Sequence, residues 1–428
     1  MTTYNISAPV FLRATVALPA SKSISNRVLI INALSANTQL PLNLSDCDDT
    51  EVMVRALGST ADVIDIKAAG TAMRFLTAML AATPAPHPTG IRLLTGTDRM
   101  KHRPIKVLVD ALRHLGADIE YAGEEGFPPL RIRGRKLDGG ELEVAGSISS
   151  QFISALLLIG PVLKRGLTLR LNGNIISRPY IDLTLWTMRE FGADAQWTAT
   201  DTITVKPKPY NKRSYLIEND WSAASYWYEM VALTADNDAE VRLEGLMDAS
   251  KQGDSSVRYI FSLLGVKTIF DSPADGLPNA YQQAAIPTTV TLRKSGQCVK
   301  KLDYDFTNVP DLAQTIVCTC CALGVMFHFT GLQTLKIKET DRIEALKTEL
   351  RKLGFVLHDK DGSELSWDGE MVNGQSSVSI DTYDDHRMAL AFAPLSLLKP
   401  ISINNPQVVS KSYPHFWQHL TDAGYSLR

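Results

Sequence analysis

The chain has 428 residues, of which 45% are hydrophobic and 21% are charged. This length exceeds what one ordinary hydrophobic core supports, so two domains are the default expectation. The formal net charge of −2 gives no overall attraction to nucleic acid or to a membrane. No apolar run reaches the roughly 20 residues that span a bilayer, and residues 1–9 lack a signal-sequence pattern. We therefore expect a globular, cytoplasmic protein that acts on small molecules.

The cysteines and the missing motifs exclude several kinds of chemistry. Three of the five cysteines, Cys318, Cys320 and Cys321, lie in one apolar run, and their spacing matches neither a disulfide framework nor a zinc site. We expect them to be buried, reduced thiols. No His/Cys/carboxylate cluster has the spacing of metal ligands, and neither a P-loop nor a dinucleotide-binding glycine motif occurs. The sequence therefore predicts chemistry that needs no cofactor and no metal.

The first informative stretch is residues 19–34, which is polar in its first half and apolar in its second. If the stretch is helical, its serines can cap the N-terminus, and Ser23 and Arg27 lie on one face, with Lys22 just before it. Free first-turn amides, the positive end of the helix dipole and two cationic side chains together make an anion site. We expect a buried helix whose polar end faces a cleft.

The same design recurs along the chain. Polar or cationic residues followed by an apolar run begin near Gly70, Ser149, Asp220, Pro310 and Asp384. Between these runs lie amphipathic helical patterns that end at a glycine, the residue that most readily adopts the left-handed conformation after a helix. These glycines are Gly58, Gly116, Gly192, Gly265, Gly354 and Gly424. Each of the six repeats therefore predicts a buried helix, strands, an amphipathic helix and a further strand.

Six such repeats predict an α/β fold with two similar domains, each built from three repeated α/β units with buried helices. We assign residues 21–218 to the first domain and residues 219–428 plus 1–20 to the second, with a two-strand hinge joining them. The N-terminal tail is placed with the second domain because a strand-like run, residues 15–18, precedes the first buried helix. We expect the helix ends to collect in a cleft between the domains, where ligand sites are common.

Three side chains are candidates for acid–base catalysis. Asp311 begins a buried helix, Glu339 lies between Lys338 and Arg342, and His386 lies in an Asp-Asp-His-Arg run. Each has a structural alternative: a helix cap for Asp311, a salt bridge for Glu339, and a cap or core contact for His386. The many cations at the predicted helix ends favour a ligand with several negative charges, since Arg pairs with carboxylate or phosphate in two-point contacts.

Nine short motifs occur in the order found in 5-enolpyruvylshikimate 3-phosphate (EPSP) synthases, and they span nearly the whole chain. They are residues 19–27 (PASKSISNR), 69–74 (AGTAMR), 99–104 (RMKHRP), 146–151 (GSISSQ), 177–180 (SRPY), 309–311 (VPD), 338–342 (KETDR), 385–388 (DHRM) and Lys411. The sequence therefore resembles this family. The resemblance implies a two-domain fold of three repeated units each. It also implies transfer of the enolpyruvyl group of phosphoenolpyruvate to the 5-hydroxyl of shikimate 3-phosphate, with release of phosphate, in the shikimate pathway.

The resemblance also implies the site residues, and with them a monomer whose partners are its two substrates. Shikimate 3-phosphate would be held by Lys22, Ser23, Arg27, Ser149, Ser150, Gln151, Ser177, Tyr180, Asp311, Thr334 and Lys338. Phosphoenolpyruvate would be held by Lys22, Gly70, Arg103, Gln151, Glu339, Arg342, His386, Arg387 and Lys411. The catalytic residues would be Lys22, Asp311 and Glu339, with Lys22 and Asp311 handling the hydroxyl proton and Glu339 donating to carbon; the division among the three stays open.

Some positions depart from the family pattern, and other functions remain as alternatives. Ala68 and Thr334 stand where the family usually has Asn, and the segment 58–67 is shorter than usual. The related enolpyruvyl transferase that acts on UDP-N-acetylglucosamine has a reactive Cys upstream of the motif at Arg103, and residues 95–102 contain none. A catalytically inactive binding module is the alternative from another class. A P-loop kinase is excluded because the glycines are missing.

Overall fold

The structure is a computed structural model that describes residues 2–84, 90–271 and 286–428. The chain forms two compact units, one of Ser21–Ile217 and one of Met1–Ala20 together with Glu218–Arg428. Within the described ranges, no helix combines the length and the hydrophobicity that crossing a membrane requires.

The unit Ser21–Ile217 alternates buried helices, amphipathic helices and short strands. Its helices are Lys22–Leu34, Asp48–Gly58, Gly70–Ala82, Asp98–Lys101, Lys106–His114, Ser150–Ile159 and Arg178–Glu190, with a 3-10 turn at Gly160–Val162. Its strands are Val63–Asp65, Ile91–Thr95, Asp118–Tyr121, Leu130–Arg133, Gly140–Ala145, Leu167–Asn172, Ala195–Trp197 and Thr202–Val205.

The other unit repeats the same alternation. Its helices are Trp221–Leu233, Val257–Leu263, Ala313–Leu323, Arg342–Lys352, His386–Phe392 and Phe416–Asp422. Short 3-10 helices cover Gly253–Ser256, Pro310–Leu312, Gln333–Ile337, Ala393–Leu397 and Pro406–Lys411. Its strands are Thr3–Ser7, Arg13–Ala17, Glu240–Leu246, Leu264–Phe270, Thr288–Cys298, Lys301–Asp305, Met326–Thr330, His358–Lys360, Glu364–Trp367, Val378–Ile380, Ile401–Asn404 and Ser426–Leu427.

The described strands form five four-stranded sheets, and all five have the same pairing pattern across the sheet, one parallel pair followed by two antiparallel pairs. In the sheet that begins with Gly140–Ala145, the first strand pairs in parallel with Leu167–Asn172 across the buried helix Ser150–Ile159. The second strand then pairs antiparallel with the last strand, Thr202–Val205, which also pairs with Ala195–Trp197. A parallel pair needs a crossover, and a helix that covers one face of the sheet supplies it. This recurrence confirms the repeated α/β fold.

The N-terminal segment completes two of these sheets. Arg13–Ala17 pairs in parallel with Glu240–Leu246, and Thr3–Ser7 pairs with Ile401–Asn404 and with Ser426–Leu427. The N-terminal tail therefore adds one strand to each of two sheets whose other strands all come from the C-terminal half of the chain. Sequence separation does not prevent such pairing, because the entropy of closing a longer loop grows only with the logarithm of its length.

The first repeat lacks a sheet. Among the described residues between the helices Lys22–Leu34 and Asp48–Gly58, a single parallel bridge joins Leu42 to Leu216. The short stretch after Gly58 leaves room only for the strand Val63–Asp65, which belongs to the next sheet.

The six predicted buried helices are all present, and so are the six amphipathic helices. In the helix Gly70–Ala82 every residue except Thr71 is buried, which its nearly continuous apolar sequence predicts. Five of the six glycines that end the amphipathic helices have positive φ, between 84° and 104°. Gly58 is the exception, because its helix ends instead on Ser59 in an extended conformation.

Candidate functional site

Lys22 is the first residue of the first buried helix. The Ser21 hydroxyl caps this helix by accepting a hydrogen bond from the Ile24 amide at 3.4 Å. The Lys22 ammonium lies 3.4 Å from the carboxylate of Asp49, which is buried in the first turn of the helix Asp48–Gly58. The Lys22 side chain is 17% exposed, so this cation is mostly buried and is oriented by a buried carboxylate.

Arg27 connects three helices instead of pointing into open space. Its Nε donates to Thr184 Oγ1 at 2.7 Å and its Nη1 donates to the Ser23 carbonyl at 2.7 Å. Its Nη2 donates to Ser154 Oγ and to the Tyr180 carbonyl, both at 3.2 Å. Burial lowers the pKa of Arg27 to about 10, which leaves the guanidinium charged at neutral pH. Four of the five N–H donors that a guanidinium offers are therefore used within this unit. Binding an anion would require the remaining donor or a rearrangement.

Gly70 begins the third helix, at a place where two guanidinium groups approach the backbone. A Cβ atom at Gly70 would lie 2.7 Å from Arg103 Nη1 and 3.2 Å from Arg74 Nη1. Arg74 also donates to the Gly70 carbonyl at 3.0 Å. A helix N-terminus with two guanidinium groups beside it favours a negatively charged ligand, and only glycine leaves the space that Arg103 occupies.

Ser149, Ser150 and Gln151 form the start of the helix Ser150–Ile159. The Ser149 hydroxyl accepts from the Gln151 amide at 3.4 Å, and Ser150 is buried. The Gln151 side chain donates to Thr71 Oγ1 at 3.1 Å. This hydrogen bond joins the start of one predicted ligand-binding helix to the start of another, since Thr71 follows Gly70.

Ser177 and Tyr180 lie at the start of the helix Arg178–Glu190. Ser177 has φ 53° and ψ 36°, the left-handed conformation that a residue with a side chain adopts at a cost. The residue is buried, at 7% exposure. Tyr180 is half-buried, and its carbonyl accepts from both Arg27 and Thr184. A conformation of this kind persists only where the surrounding structure enforces it, so the packing around Ser177 fixes the start of this helix.

In the other unit, Asp311 is surrounded by three cations. Its Oδ1 lies 3.3 Å from Lys338 Nζ and 3.3 Å from Arg342 Nη1, and its Oδ2 lies 3.1 Å from Arg387 Nη2. Burial by itself would raise the pKa of Asp311, but the charges of Arg387, Lys338 and Arg342 outweigh it and hold the pKa well below its usual range. The carboxylate is therefore ionised throughout the neutral pH range.

Arg342 is held by three carboxylates. Asp385 makes a two-point contact with it, at 2.7 Å to Nε and 3.2 Å to Nη2, and Glu339 Oε2 lies 3.1 Å from Nη2. Burial would lower the pKa of Arg342, but the charges of Asp385, Glu339 and Asp311 raise it above its usual value. The Asp385 side chain also caps the helix His386–Phe392 by accepting from the Arg387 amide at 2.9 Å. One buried carboxylate thus fixes the Arg342 guanidinium and caps the helix that begins next to Arg387.

Glu339 and Arg387 complete this cluster. Glu339 Oε1 lies 2.8 Å from Lys411 Nζ, at the end of the 3-10 helix Pro406–Lys411. Arg387 Nη1 donates to the Tyr226 hydroxyl at 3.3 Å and to the Asp311 carbonyl at 3.1 Å. Burial raises the pKa of Tyr226 to about 12, so the tyrosine is neutral. Four cations, Lys338, Arg342, Arg387 and Lys411, therefore face three carboxylates, Asp311, Glu339 and Asp385.

Two predicted site residues, His386 and Thr334, lie at the edge of the network of ion pairs around Asp311 and Arg342. His386 is buried, and its Nδ1 lies 3.7 Å from Asp385 Oδ1. Thr334 lies in the 3-10 helix Gln333–Ile337, and its hydroxyl, which is shielded from solvent, has no hydrogen-bond partner within the described ranges. The structure thus joins His386 to the cluster through Asp385.

Several residues that contact the predicted site residues were not themselves predicted from the sequence as site residues. Asp49 holds Lys22, Asp385 holds Arg342, Arg74 borders Gly70, and Tyr226 contacts Arg387. Arg74 and Asp385 lie inside motifs that the sequence shows, and each could have been included on that basis. Asp49 and Tyr226 give no local signal, because their contacts depend on helices far apart in sequence.

Solved structures that resemble this chain define the class of its fold. The fold matches a 2.37 Å structure of EPSP synthase from Acinetobacter baumannii with a TM-score of 0.76 and 19% identity, covering 100% of both chains. It also matches the enolpyruvyl transferase NikO from Streptomyces tendae with a TM-score of 0.69 and 14% identity, covering 100% of this chain and 98% of that one. These likenesses define the fold as the one found in enolpyruvyl transferases.

Sequence similarity then identifies the family. The family model "EPSP synthase (3-phosphoshikimate 1-carboxyvinyltransferase)" matches residues 58–420. A 3-phosphoshikimate 1-carboxyvinyltransferase from Bacteroides fragilis is 57% identical over 426 residues, covering 99% of this chain and 98% of its own. Another from Photobacterium profundum is 33% identical and covers 96% of each chain. The chain belongs to the EPSP synthase family.

Proposed function

We propose that this protein transfers the enolpyruvyl group of phosphoenolpyruvate to the 5-hydroxyl of shikimate 3-phosphate and releases inorganic phosphate. Protonation of the methylene carbon makes the adjacent carbon electrophilic, and the hydroxyl oxygen attacks that carbon while losing its proton. Loss of phosphate and of a proton from the methyl carbon then restores the double bond. The observation that carries the proposal is the family match over residues 58–420, together with 57% identity to a relative with this name over nearly the whole chain.

The proposal assigns binding of the two substrates to the residues predicted above. Both substrates carry several negative charges, and the described clusters supply cations that are already oriented by protein carboxylates. Lys22 is oriented by Asp49 and Arg342 by Asp385, and Gly70 leaves room for the Arg103 guanidinium beside a helix N-terminus. Such preorganisation lowers the cost of fixing charged groups at the moment of binding and reaction.

We assign the proton of the attacking 5-hydroxyl to Asp311 and Lys22. We assign protonation of the methylene carbon of phosphoenolpyruvate to Glu339. Because three cations keep Asp311 ionised, it can accept a hydrogen bond from a hydroxyl and orient it. Glu339 is paired with Arg342 and Lys411. When the anionic groups of a ligand bind these two cations, they compete with Glu339 for them. The loss of this pairing makes it easier for Glu339 to take up the proton that it would then donate.

The test is phosphate release by the purified protein on mixing shikimate 3-phosphate with phosphoenolpyruvate. We expect release that depends on both substrates, and a product that carries the enolpyruvyl group. No turnover over a range of pH and salt would overturn the proposal in favour of a binding module. Turnover with UDP-N-acetylglucosamine in place of shikimate 3-phosphate would instead assign the chain to the related transferase. We further propose that the protein is a monomer and that it acts in the cytoplasm. Size-exclusion chromatography with light scattering tests the oligomeric state, and fractionation of the source cells tests the location.

A further inference from the structure

A group of three potential metal ligands lies on the sheet formed by Lys301–Asp305, Met326–Thr330, Glu364–Trp367 and His358–Lys360. The side chains of His358, Asp368 and Glu370 each bring one ligand atom to within 4.8 Å of the other two. His358 Nε2 and Glu370 Oε2 are 3.0 Å apart. Donors bound tetrahedrally to Zn²⁺ at about 2.1 Å lie about 3.4 Å from one another, so only small side-chain movements would bring all three onto one ion.

Main-chain contacts fix the positions of these three residues relative to one another. His358 is the first residue of the edge strand and pairs with Ser366 of the neighbouring strand. The Glu370 carbonyl accepts from Trp367 Nε1 at 2.9 Å and from the Val356 amide at 3.2 Å. Between the two carboxylates, Gly369 has φ 100°, a value that residues with a side chain rarely adopt. This tight turn keeps Asp368 and Glu370 beside each other and next to His358.

The composition of the group indicates which ion it would take. Imidazole is a preferred ligand of Zn²⁺, Cu²⁺ and Ni²⁺, whereas Mg²⁺ and Ca²⁺ prefer oxygen ligands alone. Two carboxylates balance the two charges of the ion, and the neutral imidazole adds none. The neighbouring Asp359 does not take part, because its carboxylate contacts Lys347 Nζ and the Gly362 amide.

We propose that His358, Asp368 and Glu370 form a binding site for one divalent transition-metal ion, for which Zn²⁺ is the probe. The side chains of His358 and Glu370 are about half exposed, at 51% and 50%, so the ion would enter from solvent and keep water in its remaining positions. No spacing rule applied to the sequence indicates this site, because its histidine and its carboxylates are ten or more residues apart.

The same sheet offers a matched control. His328 Nε2 lies 2.7 Å from Glu364 Oε2, and the His328 side chain is 46% exposed. This pair has the same chemistry and a similar exposure, but it does not belong to the three-residue group. If a His–Glu pair alone were sufficient for binding, the two sites would behave alike.

The experiment is calorimetric titration of the full-length protein with Zn²⁺, first with the natural chain and then in a Cys298→Ser background, since Cys298 is an exposed thiol. We expect saturable binding of one ion per chain, weakened at least tenfold by His358→Ala or by Glu370→Gln. His328→Ala should leave the affinity within twofold.

Three results would overturn the proposal. The first is the absence of saturable Zn²⁺ binding in the Cys298→Ser chain. The second is unchanged affinity in His358→Ala, measured on a variant whose circular dichroism and melting temperature match those of its parent. A loss in His328→Ala equal to that in His358→Ala would also count against it, since the two pairs would then be equivalent. None of these outcomes depends on the transferase activity.

Discussion

Replacing Gly70 with alanine should weaken binding of phosphoenolpyruvate while leaving the fold intact. The added methyl group would lie 2.7 Å from Arg103 Nη1, whereas ordinary contacts of this kind begin at about 3.4 Å, so Arg103 must move by at least about 0.7 Å. The Arg103 guanidinium is the end of a long, flexible side chain, so it can move at little cost in stability. Alanine also favours a helix over glycine by up to about 1 kcal/mol. Stability should therefore be unchanged or slightly higher.

The effect on binding follows from the role proposed for Arg103. Losing a hydrogen bond between an arginine and an anionic ligand costs about 1.5–3 kcal/mol, which corresponds to an increase of about 10- to 150-fold in the KM for phosphoenolpyruvate. The KM for shikimate 3-phosphate should change little. Steady-state kinetics with each substrate varied in turn, together with thermal unfolding, measure both expectations.

Gly58→Ala is the matched control for this experiment. Gly58 also lies in a helix, and a Cβ atom there meets nothing within 4 Å. We expect this variant to have natural kinetics and natural or slightly higher stability. If Gly70→Ala kept the natural KM for phosphoenolpyruvate within twofold, the proposed role of Arg103 would be wrong. If it melted several degrees lower, the assumption that Arg103 yields easily would be wrong.

Three further predictions concern the other charged groups. Lys22→Met and Asp311→Ala should each remove most turnover with little change in circular dichroism. Asp385→Asn, which keeps a good helix cap but removes the charge that holds Arg342, should lower unfolding stability by about 3–5 kcal/mol and raise the KM for phosphoenolpyruvate. Glu229→Gln should stabilise the protein increasingly as pH rises. Glu229 is fully buried and burial raises its pKa well above the usual value, so the folded chain keeps a proton that the unfolded chain releases above about pH 4.3. Above that pH the stability of the natural chain therefore falls by up to about 1.4 kcal/mol per pH unit until the folded chain also releases the proton, and glutamine removes this loss.

Each of these predictions has a result that would contradict it. Natural turnover in Lys22→Met or Asp311→Ala would show that their roles are misassigned. For Asp385→Asn, unchanged chemical denaturation would mean that Arg342 does not need this partner. For Glu229, the control is Glu244→Gln on an exposed strand position. A difference in melting temperature between Glu229→Gln and the natural chain that stays constant from about pH 5 to about pH 8 would refute the protonated state of Glu229.

The local elements of this protein could be predicted from its sequence because they depend on neighbouring residues. The apolar run after Gly70, the caps at Ser21 and Ser149, and the glycine stop at Gly354 act through contacts within one or two helical turns. Six repeats of that pattern were enough to predict the α/β class. The motif at 338–342 likewise predicted that Lys338, Glu339 and Arg342 lie close together.

Only the tertiary structure decided which distant groups meet. The pairing of Asp49 with Lys22 and of Asp385 with Arg342, and the gathering of His358 with Asp368 and Glu370, all depend on how separate elements pack. Arg27 is another example. Its position in the sequence predicts that it binds an anion, but in the folded chain four of its N–H groups donate to Thr184, Ser154 and main-chain carbonyls. Periodicity records which face of an element is buried. It does not record which partner covers that face, because contacts between distant elements carry no local repeat.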